Sequence, residues 1–115
     1  MPDAPGSVPL EIDWNSVKAK LDAKQDFLLL DCREMDEHET VNIRQAKLLP
    51  MSELMTRVGE LDPYKGKEVI VHCHHGGRSL KVANWLRQQG FSQAKSMAGG
   101  IDEWAAEIDT TLARY

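Results

Sequence analysis

Cysteine is scarce, with two in 115 residues, too few for a disulfide-stapled scaffold. Long apolar runs are missing as well. The longest aliphatic and aromatic stretch is Phe27 to Leu30, far short of the ~20 residues needed to span a bilayer. No Lys or Arg precedes Lys18 and no apolar stretch follows the start, so the sequence predicts neither a secretory signal nor a membrane partner. A reducing, cytoplasmic setting is expected, where a thiol is kept for packing or for chemistry. Positive charge is in the minority, with 14 Lys and Arg against 18 Asp and Glu, which disfavours nucleic acid as the main partner. No P-loop or dinucleotide fingerprint is present: Gly66-Lys67 lacks both the upstream Gly and the following Ser or Thr. No cofactor is predicted.

What remains is an ordinary globular composition, 42% hydrophobic and 28% charged. A chain of this length makes one domain and buries roughly two-thirds of its unfolded surface. Residues 1–7, with two prolines and a glycine, read as a loose leader, residues 8–108 as the domain and 109–115 as a tail. Val8 to Ile12 fits a short edge strand. Asp13 can cap a helix carrying Trp14, Val17 and Leu21. Phe27–Leu30 and Val69–Val71 are continuous apolar runs, as in strands buried on both faces. Residues 33–40 read as an exposed loop or short helix, and Ala46–Leu49 as a strand. Ser52 reads as the cap of a helix to about Val58, and residues 62–67 as a turn. His72–Gly77 is expected to be a loop, followed by a helix from Arg78 to Gln89, a strand over Ala94–Met97 and a last helix after Gly99-Gly100. Strands alternating with helices imply an α/β domain with a parallel sheet covered on both faces.

Chemistry concentrates in one loop. Cys73 lies two residues past Val71, at the carboxyl end of the strongest strand, where open α/β sheets place ligands. Gly76 and Gly77 let the backbone turn its N–H groups inward, and the following helix adds free N–H groups and a positive dipole end. A cysteine facing that concavity ionises readily and becomes a nucleophile at neutral pH. Arg78 in the first helical turn opposes the dipole and makes sense beside an anion. Three of the four histidines (His72, His74, His75) flank Cys73. Adjacent residues rarely converge on one ion, so no metal site is expected, and the histidines read as loop side chains tuning the field around a thiolate. Residues 65–81 hold Lys65, Lys67, Arg78 and Lys81 against Glu68, which suggests a basic rim for an anionic ligand.

The run Cys73-His74-His75-Gly76-Gly77-Arg78-Ser79 after Val-Ile-Val resembles the active-site loop of the rhodanese-like sulfurtransferases. Leu28–Glu34 is similar to that family's Leu-Asp-Val-Arg-Glu segment, and Gly90-Phe91 followed by Met97–Ile101 and Trp104 to its Gly-Gly-Ile…Trp segment. The resemblance spans residues 8–108. It implies a three-layer α/β/α fold on a mostly parallel five-stranded sheet, and an enzyme of the thiosulfate sulfurtransferase type. Cys73 would take a sulfane sulfur from a small anionic donor such as thiosulfate, carry it as a persulfide, and pass it to cyanide, a thiol or a sulfur-carrier protein. By the same resemblance, His74, His75, Gly76, Gly77 and Ser79 cradle the persulfide and Arg78 holds the donor. Asp31, Arg33 and Glu34 brace the loop, with Glu34 a partner for Arg78.

Two departures stand out. Val41-Asn42-Ile43-Arg44-Gln45-Ala46 replaces the family's Gly-His-Ile-x-Gly-Ala, which puts the local turn in question. Cys32 replaces the usual Val. If the two strands are neighbours, as in the family, Cys32 and Cys73 come within disulfide range, so Cys32 is either a resolving thiol or a valine-sized core residue. Two other function classes compete. A Cys phosphatase or arsenate reductase also needs a Cys and an Arg around an N–H cradle, but Cys73-x4-Arg78 is one residue shorter than the phosphatase loop and closes a tighter ring. A non-catalytic binding module of this fold typically lacks the cysteine.

Overall fold

The structure, a computed structural model, describes residues 9–112. The expected leader and Val8 lie outside the described residues. Strand β1 is Glu11–Ile12, β2 Phe27–Asp31, β3 Lys47–Leu48, β4 Glu68–His72 and β5 Ala94–Met97. Helix α1 is Trp14–Asp22, α2 Met35–Thr40, α3 Leu54–Arg57, α4 Gly77–Gln88 and α5 Gly100–Glu107. The sheet order is β1-β5-β4-β2-β3 and every pairing is parallel. The two apolar runs form adjacent central strands, with Leu28 opposite Val69 and Leu30 opposite Val71.

Strand alternation sends side chains to two cores. Leu28, Leu30, Cys32, Val69, Val71 and Cys73 join Val82, Ala83 and Leu86 of α4 in one. Leu29, Ile70 and Met97 join Val17 of α1 and Ile101 and Trp104 of α5 in the other. Helices therefore cover both faces, as continuous apolar strands require. Asp13 caps α1 as expected, accepting from the Ser16 N–H at 2.7 Å, a bond worth about 1 kcal/mol.

Several boundaries differ from the sequence reading. Ser52 caps no helix: it sits in a 3₁₀ turn, Met51–Glu53, and its hydroxyl donates to Glu34 at 2.6 Å. The helix expected there shrinks to α3, followed by a second 3₁₀ segment, Val58–Tyr64. His72 is the last residue of β4, not part of the loop, because it pairs in register with Asp31 and its carbonyl accepts from the Cys32 N–H at 3.1 Å. The expected tail begins packed, since Leu112 lies against the second core. Residues 113–115 lie outside the described residues.

The Gly99-Gly100 pair fastens α5 to the end of β4. Both residues have positive φ, +81° and +60°. The Ile101 N–H donates to the Cys73 carbonyl at 2.8 Å and the Asp102 N–H to the His74 carbonyl at 3.0 Å. The free N–H groups at the start of one helix thus fix the backbone on which Cys73 sits. A Cβ on Gly100 would overlap those two carbonyls. Gly100→Ala is expected to cost about 1–3 kcal/mol, read as a lowered urea midpoint, because backbone on both sides must move.

Candidate active site

Cys73 follows β4 directly, and its sulfur points back under the loop that leads into α4. Gly76, at φ +119°, makes the turn that brings its own N–H and that of Ser79 to the sulfur. The Gly76 N–H lies 3.1 Å from Sγ and the Ser79 N–H 3.3 Å, while the Ser79 hydroxyl is 3.4 Å away. Ser79 is itself held from below, its Oγ 2.7 Å from the Oγ of Ser96 on β5. Both serines and Cys73 are buried.

These donors decide the charge state. The neighbouring Cys32 thiol is the strongest influence on Cys73 and lowers it. Burial pushes the thiol up, and the Ser79 hydroxyl, the Ser79 N–H and the Gly76 N–H push it down, leaving Cys73 at about 4. Cys32 moves strongly the other way, raised first by the neighbouring Cys73 and then by burial. At neutral pH the pair is a thiolate at Cys73 beside a protonated thiol at Cys32. Neither cysteine is in a disulfide.

Arg78 projects from the first turn of α4 and is about one-third exposed. Its partner is Glu37, not Glu34: two parallel bonds of 2.7 and 2.8 Å join the guanidinium to the Glu37 carboxylate. Glu34 instead accepts from the Ser52 hydroxyl and N–H, which ties the start of α2 to the Met51 turn. The difference follows from α2. Residues 33–40 are mostly helical, and one helical turn carries the carboxylate from position 34 to position 37.

Asp31 and Arg33 form a fully buried pair beneath this platform. Arg33 donates to both Asp31 oxygens, at 2.9 and 2.8 Å, to the Val41 carbonyl at 2.6 Å and to the Glu37 carbonyl at 3.3 Å. It therefore braces α2 and the strap after it, and through Glu37 it bears on the Cys73 loop. Burial pushes the Asp31 carboxyl up, but the Arg33 bond, the His72 field and the His38 bond outweigh it, leaving Asp31 at about 2. His38 Nδ1 is 2.8 Å from Asp31. The strap needs neither of the glycines expected at 41 and 45. Val41 is extended, with φ −159°, and among the described residues the one non-glycine with positive φ is Lys24. Asn42 further ties the strap to α2 by donating to the His38 carbonyl at 3.0 Å.

The histidines separate. His72 is fully buried on the sheet, with no hydrogen-bond partner for either ring nitrogen. Burial pushes it down to about 4, against the pull of Asp31 and aided by Arg33. His74 and His75 lie in the loop with ring centroids 3.9 Å apart, and His75 Nδ1 is 3.8 Å from Asp102. The expected basic rim also divides. Lys65 and Lys67 precede β4, at the opposite end of the strand from Cys73, and pair with Asp62 and Asp26. Arg78 and Lys81, both on α4, are the cations of that set on the loop's side.

Glu37, His38, Ser96 and Gly100 are the site residues that sequence reasoning missed. The signal for Glu37 was its place three residues after Glu34, the capping-box spacing. Ser96 carried none, because only the parallel register brings it beside Ser79.

The sequence profile of the Rhodanese-like domain family matches residues 13–107. The thiosulfate sulfurtransferase GlpE of Coxiella burnetii is 36% identical over 100 residues, 87% of each chain. YrkF of Bacillus subtilis, whose name describes a sulfur carrier protein, is 30% identical over 103 residues, 90% of this chain and about half (54%) of that protein. Among solved structures, a rhodanese-related protein from Thermoplasma volcanium superposes with a TM-score of 0.75 at 28% identity, covering 85% of this chain and 92% of that one.

Two outcomes follow from the charge states. Iodoacetamide should alkylate Cys73 at a rate that stays flat between about pH 6 and pH 8, and Ser79→Ala should move the midpoint of alkylation upward. His72 is neutral in the fold and protonates more readily when unfolded, so its contribution is complete above pH 6.5 and is lost as pH falls towards 4. Over that window His72 accounts for on the order of 3 kcal/mol. Urea midpoints should therefore fall less steeply with acid in His72→Leu than in the parent.

Proposed function

Because the chain belongs to the rhodanese-like domain family, we propose that it moves a sulfane sulfur through a persulfide on Cys73. The observation that carries this reading is the cradle around Sγ: the Gly76 and Ser79 N–H groups donate to it at 3.1 and 3.3 Å, and the Ser79 hydroxyl lies 3.4 Å away. Hydrogen bonds to a charged acceptor are each worth about 1.5–3 kcal/mol, enough together to keep a buried sulfur ionised.

Thiosulfate is the proposed donor. The Cys73 thiolate attacks its outer sulfur, the sulfur–sulfur bond breaks, and sulfite leaves with the electron pair. The sulfur left on Sγ is anionic and lies in the loop one bond beyond the place that the thiolate held. His74, His75, Gly76, Gly77 and Ser79 line that place, and Arg78, clamped by Glu37, faces the departing sulfite charge. A second nucleophile then attacks the outer sulfur of the persulfide and Cys73 returns as thiolate. Cyanide serves in an assay, and a thiol or a sulfur-carrier protein in the cell. A cytoplasmic location suits two cysteines that are both free thiols.

A protein acceptor is supported by the surface beside the loop. Met51 and Met55 are exposed and, with Leu54, line a groove of about 300 Å³ closed by Lys81, Val82 and Trp85 of α4. Flexible methionines suit a surface that meets a macromolecule.

Incubation with thiosulfate followed by intact-mass measurement should show a gain of one sulfur atom, absent in Cys73→Ser, and cyanide should discharge it. Arg78→Ala should raise the KM for thiosulfate about tenfold or more. No gain in mass and no cyanide-stimulated turnover, with hydrolysis of a phosphate ester instead, would show that the loop serves an oxyanion.

A further inference from the structure

Cys32 is unexplained by the sulfur-transfer scheme, although it is the neighbour of the reacting sulfur. Strands β2 and β4 run parallel and in register up to Asp31 and His72, and the Cys32 N–H donates to the His72 carbonyl at 3.1 Å. The next residues, Cys32 and Cys73, therefore stand side by side and point into the same core. Cys32 is fully buried. Among the buried members of that core, the Cys73 side chain is the other one that can ionise, and the remainder are apolar.

Resting on the persulfide reading above, we propose that Cys32 is a positioning residue whose S–H donates to Cys73 Sγ when that sulfur is a thiolate, and so favours release of the carried sulfur to the acceptor. The argument turns on where the charge sits. In the persulfide, the negative charge lies on the outer sulfur and Sγ is a divalent, neutral atom, a weak acceptor. During delivery the acceptor's lone pair forms a bond to the outer sulfur. The Sγ–S bond breaks, and its electron pair stays on Sγ. Charge appears beside Cys32 as that bond breaks, so the S–H bond strengthens towards the transition state and assists the departing thiolate. Loading runs the other way: charge leaves Sγ, and the same bond holds the nucleophile back. Cys32 thus trades some rate of loading for rate of delivery. Its protonated state fits this role and not that of a resolving nucleophile, which must lose the proton.

The test separates this role from packing and from the transfer reading itself. Cys32→Val keeps the site filled by an apolar side chain and removes the donor, while Cys32→Ser keeps a donor. The thiolate of each protein is titrated by its ultraviolet absorbance, which requires no sulfur donor. Cys32→Val should move the Cys73 midpoint up by about one pH unit and Cys32→Ser should restore it towards the parent. At a pH above both midpoints, single-turnover discharge of preloaded persulfide by cyanide should slow about threefold in Cys32→Val. Loading from thiosulfate should quicken by a similar factor, as a Brønsted slope of about 0.4–0.5 implies. Unchanged midpoints, or half-reactions that both slow equally, would overturn the proposal. So would a Cys32–Cys73 disulfide forming with release of hydrosulfide from the loaded parent, which would make Cys32 the nucleophile. If the titration shifts as expected but no persulfide ever forms, the donor role stands for the thiolate and the transfer reading fails.

Discussion

A sulfur atom buried at the end of a strand has to carry a negative charge, and much of the structure around it answers that requirement. Burial alone raises a thiol and makes it inert. Here burial is opposed by short-range donors that exist only because the chain turns back on itself after β4. Gly76 supplies the left-handed turn, Ser79 arrives on the first turn of α4, and Ser96 fixes the Ser79 hydroxyl from the neighbouring strand. None of these contacts is strong singly. They act together because each is anchored to sheet or helix and little motion is needed to form them.

A second layer keeps the anchors still. Arg33 is buried with Asp31, an arrangement whose desolvation cost is large and whose net stabilisation is small. Its value here is geometric. One guanidinium joins the end of β2, the last turns of α2 and the Val41 carbonyl, so Glu37 is presented to Arg78 from a fixed base. Arg78 would otherwise sample solvent from the mouth of α4. From the other side, α5 directs its free N–H groups at the carbonyls of Cys73 and His74. The loop is thus held at both ends by helix termini: the start of α4 faces the sulfur, and the start of α5 faces the backbone.

The layered α/β fold was legible in the sequence because it rests on local pattern. Two short apolar runs, Phe27–Leu30 and Val69–Val71, admit few readings besides central parallel strands, and the helices between them carry ordinary amphipathic spacing. The Cys73 loop was legible for the same reason, since its glycines, Arg78 and the helix start are contiguous. What was not legible depends on register and on helical phase. Glu34 and Glu37 are equivalent as carboxylates near Arg78 until α2 forms and turns one towards Ser52 and the other towards α4. Lys65 and Lys67 are near Arg78 in sequence but a whole strand away in space. His72 reads as part of a histidine loop until its pairing with Asp31 places it inside the sheet.

The Val41–Ala46 strap shows how a motif can change without loss of the geometry it serves. A glycine at position 41 is unnecessary when the backbone there is extended, because any residue reaches φ −159° without strain. What the strap must deliver is a carbonyl for Arg33 and a stable exit from α2, and Val41 supplies the first through its backbone. The imidazole on Asp31 comes from His38, on α2, at 2.8 Å, and Asn42 returns a bond to the His38 carbonyl. The carboxylate of Asp31 is therefore saturated by Arg33 and His38 on one side while it faces neutral His72 on the other. A second full charge at His72 would have to share a dry pocket with Arg33, close enough for mutual repulsion to be felt. Burial and the charge of Arg33 together hold His72 neutral, so Arg33 stands as the cation beside Asp31, and through Glu37 that cation sets where Arg78 stands.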